Sequence, residues 1–454
     1  MSTRAIRRLG LIDVLAIGVN AIVGSGVFSV PDDMQRSMGG FSPLGFLLCA
    51  VVLIPVALCF AELSSRSDRT GGPYLYATQA FGPMVGFLVG WSCYLNAFLS
   101  FAANATQFVS LAGLDGHIAY RPTVVGLVLA LGAINYVGVR PGANLVVAMT
   151  VGKLLAILLF VGAALMHFDS ANLGGALPAG ATGVANGVYL ALFPLQGFEV
   201  VPVPAGETKN PRRNVPIATV GALLFAALLF VVVQACLVGA YAKIGEESNT
   251  PLVDAARAIG PTIGALVLVG SIVSVGGFTA GSALGSPRYA QALAEGRDLP
   301  RRLGAIHDRY GTPHVAITVT TLLTAALGAA FTYRQLVGFS NATVVFQYAL
   351  TCLAVPILRK KLATAAPPAE RADGSPADYR TAPKTPDAGD GFRVPWGPVL
   401  PLFGAIGSLL LLSGSSPEEL YWAAGGIAIG LVVLALTKRF DREAASRSTE
   451  GGDQ

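Results

Sequence analysis

The stretch LIDVLAIGVNAIVGSGVFSVPDDMQRSM at 11–38 constrains this chain more than any other. It begins as a membrane-spanning helix, apolar from Leu11 to Val23 apart from Asp13 and Asn20, and preceded by the basic flank Arg4, Arg7 and Arg8. Gly24-Ser25-Gly26 then puts two poor helix formers and a hydroxyl where the bilayer midplane should fall. The apolar run resumes from Val27 to Val30 and stops at Pro31. Non-helical backbone at that depth persists only where protein buries it or where it lines a watery cavity. An opened helix exposes free N–H groups backed by the positive end of the following half-helix, and these attract an anion such as a carboxylate. The break is expected to be a binding site.

With 53% hydrophobic and 13% charged residues, the 454-residue chain falls outside the soluble globular class, whose charged share is about a quarter. Apolar segments long enough to span a bilayer lie near 10–37, 43–64, 84–112, 122–138, 143–167, 184–206, 215–243, 262–292, 314–332, 336–359, 397–414 and 419–437. The expectation is an all-α polytopic membrane protein with twelve transmembrane helices. With a cytoplasmic N-terminus, 25 of the 31 Lys and Arg residues fall inside. Five fall outside (Arg36, Arg121, Lys243, Arg257, Arg334), and Lys153 is intramembrane. That asymmetry places both termini in the cytoplasm of a multi-pass protein of the cell (inner) membrane. The net charge of +5 then reports topology and contact with anionic membrane lipid, and no nucleic acid partner is expected. Cys49, Cys59, Cys93, Cys236 and Cys352 all fall in apolar segments without metal-ligand spacing, so no disulfide framework, metal or cofactor is expected. The basic start lacks a small-residue cleavage site and Asp13 interrupts the apolar core, so the first segment is expected to be retained.

Between the second and third segments, Gly71, Gly72 and Pro73 argue against a regular helix, which leaves an interfacial turn. Gly82, Gly86 and Gly90 share one face of the third helix and permit close helix contact. In the sixth segment Pro194 and Gly197 interrupt an apolar helix at mid-depth, and Pro202 and Pro204 remove further amide donors. A proline-kinked helix without a ligand is one reading; a second broken helix, paired with the first across a midplane site, is the other. Asp13 and Glu62 lie near helix ends, where capping or snorkelling accounts for them, and Glu207 reads as a solvated interface charge. From 361 to 395, and again from 441 to 454, the sequence has the composition of a disordered linker and tail.

GSGVF, AEL followed by GGPYLYATQAFG, LFPLQGFEVVPVPAGETKNPRRNVP, and ALAEGRDLP followed by GTPHVA resemble, in order and spacing, the amino acid–polyamine–organocation superfamily of transporters. The resemblance implies two five-helix inverted repeats, in 1–167 (an N-terminal tail and the first five helices) and 184–360. Helices eleven and twelve follow in 396–440. It also implies a substrate site in which Gly24, Ser25, Gly26 and neighbouring amides hold a carboxylate. Carbonyls near Ile22 and from Phe193 through Gln196 to Gly197 accept an α-ammonium. Phe193 would be an aromatic gate and Glu199 an inner gate, and Phe278 is expected among the substrate-binding residues. By the same resemblance Lys153, an ammonium too deep in the fifth segment to snorkel easily, stands where sodium-driven relatives hold a cation. Carbonyls around Gly18 and the hydroxyls of Thr279 or Ser282 are its expected contacts.

The implied function is sodium-independent transport of α-amino acids by alternating access, as a proton-coupled symporter or an exchanger, in a monomer or homodimer. The segments expected around the site offer Ser25, Cys93, Asn96, Phe193, Gln196, Phe278 and Asn341 but no carboxylate for a cationic side chain, which favours neutral substrates. An amino acid/polyamine antiporter for cationic substrates is the alternative within transport. A membrane channel or an intramembrane enzyme is the alternative outside it, against which stand the lack of a filter-like loop, of HExxH and of an intramembrane Ser/His or Cys/His set.

Overall fold

A computed structural model describes residues 9–65, 72–138, 143–202, 208–364 and 392–450. Glu207, Pro204 and most of the 361–395 linker lie outside them. Among the described residues the chain is helical, with one isolated bridge between Leu9 and Thr208. In order the helices are α1 (Leu11–Ile22), α2 (Gly26–Met38), α3 (Ser42–Ser65), α4 (Gly72–Phe81), α5 (Pro83–Leu111), α6 (Tyr120–Val137), α7 (Ala143–Leu165), α8 (Gly180–Leu190) and α9 (Leu192–Leu195). They continue as α10 (Pro211–Ala240), α11 (Pro251–Ile259), α12 (Pro261–Glu295), α13 (His314–Ala330), α14 (Tyr333–Thr364), α15 (Val399–Leu411) and α16 (Pro417–Glu450).

Among the described residues, seven helical runs are long and apolar enough to cross a membrane, and four shorter apolar helices accompany them. Length and composition thus support fewer spans than the twelve expected from the sequence. The first segment is cut at its break, α2 runs almost directly into α3, and α13 and α15 are short. Many large apolar side chains on these helices, such as Leu155, Leu228, Val269 and Leu410, are exposed on the outside of the bundle. A lipid-facing surface requires this, because acyl chains are as apolar as the side chains they touch.

The expected turn after the second segment is corrected. Residues from Gly72 form α4, because Pro73 stands in its first turn, where its missing N–H would have had no intrahelical partner. Gly86 and Gly90 let this helix lie against α5: a Cβ at Gly86 would stand 2.0 Å from the Thr78 hydroxyl, and one at Gly90 would stand 2.8 Å from the Tyr74 ring. Glu62 is corrected as well. It neither caps nor snorkels: its side chain is 1% exposed, accepts from Arg359 Nε at 2.8 Å and from Arg359 Nη2, and takes the Val394 N–H at 2.7 Å. That pair, with Glu62 buried and Arg359 partly exposed, ties α3, α14 and the segment leading into α15 together. Asp13 does cap its helix, accepting the Gly10 N–H at 2.8 Å.

Candidate functional site

The two breaks meet. α1 ends at Ile22, where the Val23 N–H still reaches the Val19 carbonyl and the Gly24 N–H turns back to the Ile22 carbonyl at 2.9 Å. α2 restarts at Gly26, and the Gly26 and Val27 N–H groups, first in that helix, find no acceptor among the described residues. The Ser25 N–H is taken by Asn104 Oδ1 at 3.3 Å. On the other chain segment α9 ends at Leu195, and Gly197 follows at φ +111°, a conformation L side chains rarely adopt. A Cβ on Gly26 would sit 2.7 Å from the Pro194 ring, and one on Gly197 would sit 2.4 Å from the Ala21 carbonyl oxygen. Both glycines are needed for this close nesting.

A cavity of about 310 Å³ opens at the nested breaks. Of the residues expected at the site, Ile22, Gly24, Ser25, Gly26, Phe193, Gln196, Gly197, Glu199, Phe278 and Ser282 all line it. A Cβ at Gly24 would lie 3.1 Å from the Phe278 ring, which places that ring directly against the first break. Phe193 meets Tyr333 edge to face, centroids 6.2 Å apart, and the Tyr333 hydroxyl lies 3.2 Å from Ser25 Oγ. The lining continues along α1 to Ile17 and along α12 to Tyr289.

Lys153, Gly18 and Thr279 do not line the cavity. Lys153 is 1% exposed and its Nζ donates to the Asn20 carbonyl at 3.0 Å and the Val23 carbonyl at 2.7 Å, the acceptors freed where α1 stops. The carbonyls expected around Gly18 prove to be those two and five residues further on, and among the described residues the ammonium makes no hydrogen bond to the Thr279 or Ser282 hydroxyl. Gly18 instead packs on α10, where a Cβ would meet that of Ala222 at 2.8 Å, and the Thr279 hydroxyl bonds its own helix at Val275.

Polar side chains around the cavity are largely occupied with one another. Gln196 Nε2 donates to Asn341 Oδ1 at 2.8 Å, and Asn341 in turn donates to the Tyr189 carbonyl. Glu199 Oε2 accepts from the Gly197 N–H at 2.9 Å and the Tyr348 hydroxyl at 3.0 Å. The expectation of no carboxylate around the site is corrected here, because Glu199 lines the cavity itself.

Beyond the Phe193–Tyr333 contact lies a charge cluster that sequence reasoning passed over. Arg334 Nε on α14 meets Asp33 Oδ2 on α2 at 3.0 Å, Arg36 pairs with Asp33 and, at 2.8 Å, with Glu247, and the Gly245 N–H donates to Asp32 Oδ1. The available signal was the scarcity of basic residues in the connections expected to lie outside: two of those five, Arg36 and Arg334, converge on Asp32 and Asp33. Asn104, Tyr333 and Gln347 were also missed, being polar residues in helices with nothing local to distinguish them.

Two helix breaks nested in a bundle of apolar helices, with a cavity between them, are an arrangement that suits a membrane transporter. The chain belongs to the amino acid permease family, whose model matches residues 9–435. It is similar to the branched-chain amino acid permease BcaP of Bacillus subtilis (24% identity over 95% of this chain and 93% of that one). The serine/threonine exchanger SteT of the same organism is 27% identical over 97% of this chain and 98% of its own. The cationic amino acid transporter 4 of Mus musculus is 27% identical over 83% of this chain and 63% of its own.

Proposed function

We propose that the protein is a sodium-independent secondary transporter of neutral α-amino acids, working by alternating access across the cell membrane with both termini cytoplasmic. The observation that carries the reading is the Lys153 ammonium held by the Asn20 and Val23 carbonyls beside the first break. A fixed cation there does what a bound sodium would do, neutralising the freed carbonyls and bracing α1 against α7. In this reading 1–167 and 184–360 contain two inverted five-helix repeats and α15 and α16 are additional spans. The Gly26 and Val27 N–H groups receive the substrate carboxylate, while carbonyls between Ile22 and Gly197 receive its ammonium. The cycle is completed by a proton or by a second amino acid travelling the other way.

The test is uptake of labelled amino acids into proteoliposomes, with and without a pH gradient, with and without internal substrate, and with sodium replaced by choline. Saturable uptake of alanine, serine or leucine that is indifferent to sodium is expected. A sodium requirement, or ion current without saturable uptake, overturns the reading.

A second reading is favoured by one feature, the Glu199 carboxylate on the cavity wall, which could pair with a cationic side chain. Inhibition of uptake by arginine, agmatine or putrescine, with alanine and serine inactive, would select it.

A further inference from the structure

Six lining side chains that bear oxygen or nitrogen are at least nine-tenths buried: Ser25, Asn104, Gln196, Glu199, Ser286 and Gln347. Five are committed. Ser25 pairs with Tyr333, Asn104 with the Ser25 N–H, Gln196 with Asn341, Glu199 with Gly197 and Tyr348, and Ser286 with the Ala97 carbonyl at 3.1 Å. Gln347, on α14 and 2% exposed, lines the cavity and has no side-chain hydrogen bond among the described residues. Asn96, on α5 and half-buried, lines the same cavity and accepts from Ser340 through Oδ1, and its NH2 group has no acceptor among the described residues. α12 contributes Gly281 and Gly285 there, and a Cβ at either would meet nothing within 4 Å, so those positions bring no side chain to cover these amides.

We infer that Gln347, seconded by Asn96, is the specificity-determining group for the substrate's side chain. The preferred substrates are neutral amino acids carrying a hydroxyl or carboxamide. This inference rests on the amino acid transport reading. A carboxamide offers a donor pair and an acceptor, so it can match serine, threonine, asparagine or glutamine in either sense of the hydrogen bond. An apolar isostere of the same size would fill the cavity equally well but leave the buried amide unpaired. That asymmetry lets a polar site reject an apolar analogue far more strongly than an apolar pocket rejects a polar one.

The experiment is competition against labelled alanine uptake in proteoliposomes by two near-isosteric pairs, threonine with valine and asparagine with leucine, together with lysine and arginine. In the wild type, threonine and asparagine should inhibit at concentrations at least about tenfold below their apolar partners. Gln347→Met should remove that gap by weakening the polar member of each pair while valine stays within about twofold. Gln347→Asn, which keeps the amide, should retain part of it. Equal inhibition within each wild-type pair, equal weakening of both members in Gln347→Met, or inhibition by lysine or arginine tighter than by any neutral amino acid overturns the inference. The wild-type comparison decides even where a variant fails to insert. Absence of uptake and competition by every amino acid removes the transport reading itself, and is distinguished from the other outcomes by the alanine signal.

Discussion

Gly197 lies over Ala21 so closely that the second helix break is moulded on the carbonyl face of the first. The φ of +111° and a Cβ position 2.4 Å from the Ala21 oxygen both exclude a side chain there. Gly197→Ala should therefore cost about 1–3 kcal/mol in backbone strain and push the breaks apart. Uptake in proteoliposomes should fall by at least about tenfold while the protein still elutes as a single species from size exclusion. Full activity in this variant would show that the nesting is dispensable.

Lys153→Ala should cripple uptake with insertion preserved. Removing the ammonium leaves the Asn20 and Val23 carbonyls buried without a donor, at about 1–3 kcal/mol each. A merely structural lysine would alter stability alone, so the informative readout is the dependence of uptake on an imposed proton gradient, expected to weaken in the variant. Unchanged uptake and an unchanged pH profile would exclude the tethered cation from the mechanism.

Arg334 and Asp33 join α14 to α2 beyond the aromatic contact, on the side proposed to be outside. Arg334 is 38% exposed, so the pair is worth only about 1 kcal/mol after solvent screening. Arg334→Ala should still raise the open population by about fivefold, since each 1.4 kcal/mol is a factor of ten. Cys93, which lines the cavity, is a native reporter of this. An impermeant thiol reagent added outside should label it several times faster in the variant, and an unchanged rate would remove the gate role.

Glu62→Gln should strip Arg359 of its buried counter-charge and lower thermal stability in detergent by about 3 kcal/mol. The double variant Glu62→Leu with Arg359→Met should lose less, because it leaves no uncompensated charge. If the single variant melts at the wild-type temperature, the pair does not hold the segment before α15 in place.

The parts of the site that were legible are those where a residue violates the rule of its surroundings. Gly24, Gly26, Pro194 and Gly197 are helix breakers inside apolar runs, and Lys153 is a charge in one, so each was visible without knowing its neighbours. Partners were not visible. Lys153 is 133 positions from Asn20, and the sequence pointed only to carbonyls around Gly18, two and five residues before the two it meets. Asp33 and Arg334 are 301 positions apart, and each alone resembles a surface charge at a helix end. α4 was misjudged because a Gly-Pro pair marks either a turn or a helix start, and only its packing on α5 separates the two. Gln347 was invisible for a plainer reason: a glutamine in a helix is ordinary until every other buried polar neighbour proves to be occupied.

A cation bound by a covalent stem cannot leave with the substrate. A zwitterion carried past a permanently charged Lys153 would move no net charge, and the cycle would ignore the membrane potential. Release of one proton from that ammonium per turnover would move one elementary charge and draw about 2.3 kcal/mol from each 100 mV. The tether therefore turns the choice between exchange and proton symport into an electrical question, answered by whether uptake of a neutral amino acid changes with a potassium diffusion potential.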